Sequence, residues 1–335
     1  MPITFADSGD RMRRRDFIAL LAGGAVWILP ARGQAMPIIG YLGSESPESY
    51  NSRLAAFRDG LADAGYVEGR NVAVAFRWGE GQYSRLPELA RELVNDSVTM
   101  IVAAGGAEVA LAAKSVTAAI PIVFEMGGDP VALGVVESLS RPGRNLTGVS
   151  SLSVEVSRKR LEFMHEVRSD TNVFAVAINP SSPTSVPQLR NLHAAADSLG
   201  LRLIELKASS EAEFEGMFAS VRETGAGGLV FSSDPYFAYR SQQLAALAAR
   251  HAVPAVTQSR DFPLAGGLMS YGGDFEQSHR NAGSYAGRIL KGAKPSDLPV
   301  QRVTKVELFI NLKAAAALGI SIPASLLSSA DRVVE

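Results

Sequence analysis

Cysteine is absent from the 335-residue chain. Without it there can be no disulfide, no thiolate metal site and no thiol nucleophile. Histidine is nearly absent too, with four residues, His165, His193, His251 and His279. All four fall in predicted helices, so they read as surface or helix-packing residues. No G-x-S-x-G elbow, no G-x-x-x-x-G-K-[ST] loop and no H-E-x-x-H pair occurs, which leaves nothing positive for common hydrolase, nucleotide or zinc chemistry. "GAGGLV" (225–230) precedes a predicted strand instead of following one, so it is not a dinucleotide fingerprint. A basic excess is also missing, since the formal net charge is -1. Nucleic acid is therefore not expected as a partner. The charged stretches "RELVND" and "SRKR" read as solvated helix faces.

A membrane-length apolar run is missing as well. The longest near the start, Phe17 to Leu29, is 13 residues, against the roughly 20 needed to span a bilayer. It follows Arg14-Arg15-Asp16 and precedes Gly33-Gln34-Ala35, a small-x-small cleavage pattern. This order fits an export signal over residues 1–35 with a mature start at Met36. The Arg-Arg-x-apolar-apolar order resembles a twin-arginine address, with the general secretory route as the alternative. A short N-terminal amphipathic helix is the other reading. Removal of residues 1–35 leaves 28 basic and 31 acidic residues. A cleaved chain without cysteine cannot carry a lipid there, so a free periplasmic protein is expected.

What is present is a regular alternation. Short apolar runs such as "PIIGYL" (37–42), "VTMIVAAG" (98–105) and "IPIVFEM" (120–126) alternate with Ala/Leu-rich helical stretches. A helix is expected over 129–140. Such alternation predicts βαβ units and a parallel sheet, and continuous apolar strands predict a sheet covered on both faces. "RPGRNLTGVSSLS" (141–153) breaks the rhythm, and the pattern restarts with "VFAVAIN" (173–179), "LRLIELKA" (201–208) and "GGLVFSS" (227–233). The expectation is an α/β chain of two doubly wound lobes joined by a multi-crossing hinge. The first lobe takes 36–149 plus 272–335 and the second takes 150–271.

In open parallel sheets ligands bind beyond the C-terminal strand ends, so the strand-end loops supply the candidates. In the first lobe they are Ser44, Glu45 and Ser46, then Gly105, Gly106 and Ala107, then Met126, Gly127, Gly128 and Asp129. In the second they are Asn179 and Ser182, Asp234 and Tyr236, Arg260, and Tyr271 at the return passage. A helix N-terminus at Gly106-Ala107, or its counterpart in the second lobe, is suited to a ligand carboxylate. Asp129 or Asp234 is suited to an ammonium. Each Asp-Pro pair is also a simple helix cap, and each glycine pair a simple turn. The convergence of several such loops on one face is what points to a site. No metal or cofactor is expected.

The stretches "GYVEGRNVAVAFRWGEGQYSRLPELARELV", "IPIVFEMGGDPVALGVVESLSRPGRNLTGVS", "SDPYF", "AGGLMSYG" and "LPVQRVTKVELFINLKAAAALGI" resemble the periplasmic substrate-binding components of ABC transporters. The likeness covers 37–335 and is greatest to a branch whose studied relatives bind tryptophan, tyrosine or phenylalanine. It implies a type I periplasmic-binding fold with three hinge crossings and one small solute in the cleft. It also implies a monomer that delivers an aromatic or branched amino acid, or a similar carboxylate, to an inner-membrane permease with its ATPase. Where the family commonly shows "RPGGN", this chain has Arg141-Pro142-Gly143-Arg144-Asn145. Arg144 must therefore accept the backbone shape that a glycine favoured. A ligand sensor for a membrane receptor, and a periplasmic enzyme, are the alternative functions.

Overall fold

Strand pairing divides the molecule into two sheets. The computed structural model describes residues 36–151 and 153–335; residues 1–35, expected from the sequence to be an export signal, lie outside the described residues. The first sheet runs in the order β11-β5-β4-β3-β1-β2 and is parallel throughout. Its strands are β1 (Ile38–Gly43), β2 (Ala73–Trp78), β3 (Met100–Ala104), β4 (Ile122–Met126), β5 (Leu146–Ser150) and β11 (Gln301–Arg302). The second runs β13-β12-β10-β9-β8-β6-β7. It contains β6 (Val173–Ile178), β7 (Arg202–Lys207), β8 (Leu229–Phe231), β9 (Ala255–Thr257), β10 (Met269–Gly273), β12 (Val306–Asn311) and β13 (Arg332–Val334). In each sheet the second strand lies outside the first and the third lies inside it, which makes a topological switch point between them.

Both sheets are covered on both faces, as their unbroken apolar strands require. Along β1 the pleat sends Ile39 and Tyr41 to one side and Leu42 to the other. Leu42 joins Ile101, Phe124 and the helices α2 (Leu86–Asn95) and α3 (Ala107–Val116). Ile39 and Tyr41 join α1 (Asn51–Asp63) and α10 (Phe275–Leu290). The second sheet is flanked on one side by α4 (Ser157–Val167) and α5 (Ser185–Leu199). On its other side lie α6 (Phe214–Glu223), α7 (Pro235–Tyr239), α8 (Ser241–Arg250) and α9 (Asp261–Leu264). Two short helices, α11 (Leu312–Ala317) and α12 (Ala324–Ser329), follow β12.

The chain passes between the sheets three times, after β5, after β10 and after β11. The last passage differs from the expected first lobe of 36–149 plus 272–335. β12 pairs antiparallel with β10 and β13 pairs with β12, so residues 306–334 complete the second sheet. Periodicity gives a strand's existence but not its neighbour, and antiparallel partners leave no separate pattern. A second difference concerns 129–140, which forms turns instead of a helix. Gly134 there takes φ 66°, a left-handed conformation that ends helical winding. Arg144 does sit at φ 49°, the shape expected of the family's glycine.

α1 and α10 approach closely enough for backbone to meet backbone. A Cβ on Gly283 would strike the Phe57 carbonyl, and one on Gly60 would strike the carbonyl of Arg280. Glycine in a helix costs about 1 kcal/mol relative to alanine; here it permits the contact. Gly283→Ala should therefore lose about 1–3 kcal/mol through overpacking despite its better helix propensity. A urea midpoint equal to that of the wild type would overturn this expectation.

Candidate functional site

The C-terminal ends of β1, β3 and β4 face those of β6, β8 and β9 across a cleft. The cavity there holds about 470 Å3 of empty space, its open mouth included. From the first sheet come Glu45, Gly105, Gly106, Ala107, Glu108, Glu125, Gly127 and Gly128, with Arg53 from α1. From the other side come Thr184, Ser233, Pro235, Ala238 and Gln258, with Val154 from the first crossing and Phe275 from the start of α10, which packs on the first sheet.

Acidic groups dominate this wall. Glu45, Glu108 and Glu125 are all buried, and each has an Oε1 with no hydrogen-bond partner. Burial pushes the Glu45 and Glu125 carboxyls up to about 7, against the pull of Arg53 on both. Arg53 pairs with Glu45 at 3.3 Å and lies over the Tyr50 and Phe275 rings at 5.1 and 4.9 Å. Burial, and then the charge of Asp234, hold the Glu108 carboxyl well above its usual range. Behind the wall, buried His279 gives Nδ1 to the Phe275 carbonyl at 2.7 Å, and desolvation drops its pKa to about 3.

Tyr83 and Asp234 join the lobes directly beside the cavity. The Tyr83 hydroxyl donates to Asp234 Oδ1 at 2.5 Å and accepts from the Tyr236 backbone N–H at 3.0 Å. Asp234 Oδ1 also accepts from the Tyr236 N–H at 2.8 Å, capping α7, and from Asn179 Nδ2 at 3.4 Å. Its Oδ2 has no partner, and burial raises the carboxyl's pKa. Deeper still, Arg160 is fully buried. Its guanidinium donates to the carbonyls of Tyr271 (2.8 Å) and Ser153 (3.3 Å) and to Ser233 Oγ (2.6 Å).

A two-lobed α/β receptor with one polar cleft is the architecture this geometry describes. The family model for "ABC transporter substrate binding protein" matches residues 45–334. The chain belongs to this family. A tyrosine-binding protein of Clostridioides difficile (strain R20291) is 28% identical over 269 residues, covering 78% of this chain and 75% of that protein. A conserved domain protein from Vibrio cholerae O1 biovar El Tor superposes with a TM-score of 0.82 at 26% identity, over 89% of this chain and 99% of that one. An ABC domain from Streptococcus pneumonia, solved in complex with L-Trp, superposes at 0.80 with 25% identity and the same coverage. The two lobes are thus of the type I periplasmic-binding class. These relatives are substrate-binding proteins. Among the described residues no helix is long and apolar enough to cross a membrane.

Within this substrate-binding fold the candidates divide. Glu45, Gly105, Gly106, Ala107, Gly127 and Gly128 line the cavity. Asp234 sits at its edge, between the lining residues Ser233 and Pro235. Asn179 and Tyr236 line an adjoining groove, where Arg240 stacks 3.8 Å from the Tyr236 ring centre. The other candidates serve the scaffold. Ser44 Oγ donates to the Gly105 carbonyl at 2.8 Å. Ser46 is buried, and its carbonyl accepts from Ser49 Oγ. Met126 is fully buried in the core, because the final residue of a covered strand points into its helix layer. Ser182 shares a hydrogen bond with Thr184. Asp129 is exposed and caps a turn through the Val131 and Ala132 N–H groups, which removes it as an ammonium partner in the cleft. Arg260 pairs with Glu276 and Glu307 near the second crossing and lines a small pocket that shares Gln258 and Phe275 with the main cavity. Tyr271 packs edge-on against Phe163 and offers only its carbonyl, to Arg160.

The α3 N-terminus is also not vacant. Glu108, in the first turn, folds its carboxyl back against Gly106. The helix end expected to receive a ligand carboxylate already has one from the protein.

Sequence reasoning missed Arg53, Glu108, Glu125 and Arg160. Glu125 had a signal, as a lone charge near the end of the apolar strand "IVFEM". Arg160 had one too. Ser157, Arg160, Leu161 and Met164 share a helical face, and all four are buried. "SRKR" is therefore not the wholly solvated face that its composition implied.

Proposed function

We propose that this chain is the exported solute receptor of an ABC importer, closing its two lobes on one small amine-bearing solute of the amino-acid class. The observation that supports this most is the cleft wall, where three buried carboxyls have oxygens left without partners. A buried acceptor without a donor is costly, and a ligand ammonium supplies the donor. The relatives that bind tyrosine or L-Trp support an amino-acid ligand. The Tyr83 contacts with Asp234 and the Tyr236 N–H support closure by hinge, since they span the lobes. Residues 36–149 with α10 and β11 make the receiving lobe; 150–271 with β12 and β13 make the closing lobe. Release of solute to a permease with its ATPase completes the role, and the 1–35 signal delivers the receptor to the periplasm as a free monomer.

Thermal shift with a solute panel tests this reading. The protein is first unfolded and refolded to strip carried ligand. A bound solute at about 100 times its Kd adds roughly 2.7 kcal/mol, on the order of 5 °C for a chain of this size. The expected result is a selective shift by amine-bearing solutes, with the ligand recovered unchanged by mass spectrometry. Recovery of a product instead would make the protein an enzyme. No shift with any amine would remove the amino-acid class.

A further inference from the structure

We infer that the α-ammonium of the amino-acid solute is clasped between two carboxyls on opposite lobes, Glu108 of the first and Asp234 of the second, so that both lobes hold the same amine. This rests on the receptor reading above and deepens it.

The four buried acids of the cleft fall into two kinds. Glu45 and Glu125 belong to one lobe and have a cation of their own. Arg53 pairs with Glu45 at 3.3 Å and also pulls on Glu125. Among the described residues neither Glu108 nor Asp234 has a basic partner. Their surroundings are acids, hydroxyls, an amide and backbone N–H groups. Each also keeps an oxygen without a donor, Glu108 Oε1 and Asp234 Oδ2. The bonds from Tyr83, Tyr236 and Asn179 all go to Asp234 Oδ1. They fix the carboxyl and leave Oδ2 open.

The two groups meet where the cavity joins the adjoining groove. Glu108 lines both. Asp234 lies between the cavity residues Ser233 and Pro235, and the residues that bond its Oδ1 line the groove. A Cβ placed on Gly106 would touch both Glu108 Oε1 and the Pro235 ring, so the Glu108 carboxyl lies against the residue that follows Asp234. The charge of Asp234 reaches Glu108 and raises its pKa.

Closing the lobes therefore brings together two buried acids that lack a cation. Like charges at such a meeting oppose closure, and a cation between them reverses the sign of the interaction. An ammonium carries three donors, enough to give one to each open oxygen. The solute's carboxylate has donors elsewhere on the wall. The Gly127 and Gly128 N–H groups meet no acceptor among the described residues, and Arg53 gives Glu45 a single nitrogen.

Matched pairs that differ in the amine decide the matter. L-tryptophan, L-tyrosine, L-phenylalanine and L-leucine are each compared with the deaminated acid of the same side chain, by calorimetry on the full chain after unfolding and refolding to strip carried ligand. The expected result is that at least one amino acid binds about thirtyfold or more tighter than its deaminated acid. Glu108→Gln and Asp234→Asn should each narrow that ratio by about tenfold, by weakening the amino acid and leaving the deaminated acid unchanged. Both substitutions keep the shape of the side chain, and asparagine also caps a helix. A carboxyl that only supported the fold would weaken both members of a pair alike. A ratio near one in the wild type, or a ratio retained in either variant, overturns the clasp and leaves the receptor reading standing. Absence of binding by all four amino acids overturns both.

Discussion

Raising the pH from 5 to 8 is expected to lower the unfolding free energy of the ligand-free protein by roughly 3 kcal/mol. Glu45 and Glu125 cause the loss. Both carboxyls have a folded pKa near 7 against about 4.5 when unfolded. Their stabilising protons are fully held below about 4.5 and are lost as the pH rises through 7. Each carboxyl gives up on the order of 2 to 3 kcal/mol over this interval. His279 works in the opposite sense. Its folded pKa of about 3 lies below the unfolded 6.5, so it destabilises increasingly as the pH falls below 6.5. It returns about 2 kcal/mol between pH 5 and 8. Glu108 and Asp234, both raised by burial, act in the same direction as the two glutamates. Melting temperature should fall by several degrees from pH 5 to 8. Glu125→Gln imitates the protonated form, so it should flatten this slope and make the variant more stable than wild type at pH 8. A melting temperature that is constant or rises over the interval would count against the buried, unpaired state of these carboxyls.

Arg160→Ala should cost about 3–5 kcal/mol and lower the melting temperature by about 10 °C. It is the largest fully buried side chain, and its loss opens a cavity as well as breaking three hydrogen bonds. The acceptors include Ser153 in the first crossing and the carbonyl of Tyr271 on β10, which leads into the second. Arg160→Met keeps most of the volume and removes the charge, so it separates packing from hinge bonding. It should recover part of the stability while still leaving the Tyr271 carbonyl without the guanidinium. An Arg160→Ala protein that melts within 2 °C of wild type would show that the guanidinium does not hold the crossings.

Much of the architecture was legible because apolar strands and amphipathic helices carry their own periods. β1 to β4 and β6 to β9 follow from short apolar runs, whereas β5 and β10 lie in Gly- and Ser-rich stretches that read as passages between lobes; the switch-point rule then directs attention to strand ends. Glu45 and the Gly105–Ala107 and Gly127–Gly128 loops were found in this way. Two kinds of information were not available from period. One is which strand a late strand joins, as β12 and β13 illustrate. The other is the burial of a polar side chain inside a charged or apolar run. Arg160 looked solvated beside Arg158 and Lys159, because the helix face that turns inward depends on the sheet beneath it. Glu125 passed for a strand residue, because an apolar run masks a single charge. Asp129 and Asp234 show the limit of local motifs. Both precede proline, and both accept from backbone N–H groups, but only Asp234 is placed where a facing lobe makes it part of a cleft.

The three crossings also set an order of assembly. The first sheet lacks its edge strand β11 and its covering helix α10 until residue 302 exists, and the second lacks β12 until residue 311. Neither sheet can be finished from a continuous stretch of chain, and each waits on a segment made after most of the other. Closing such long loops is slow. Folding should therefore end in one late event that completes both sheets together, and a chain cut between β11 and β12 should yield a finished first sheet beside an unfinished second.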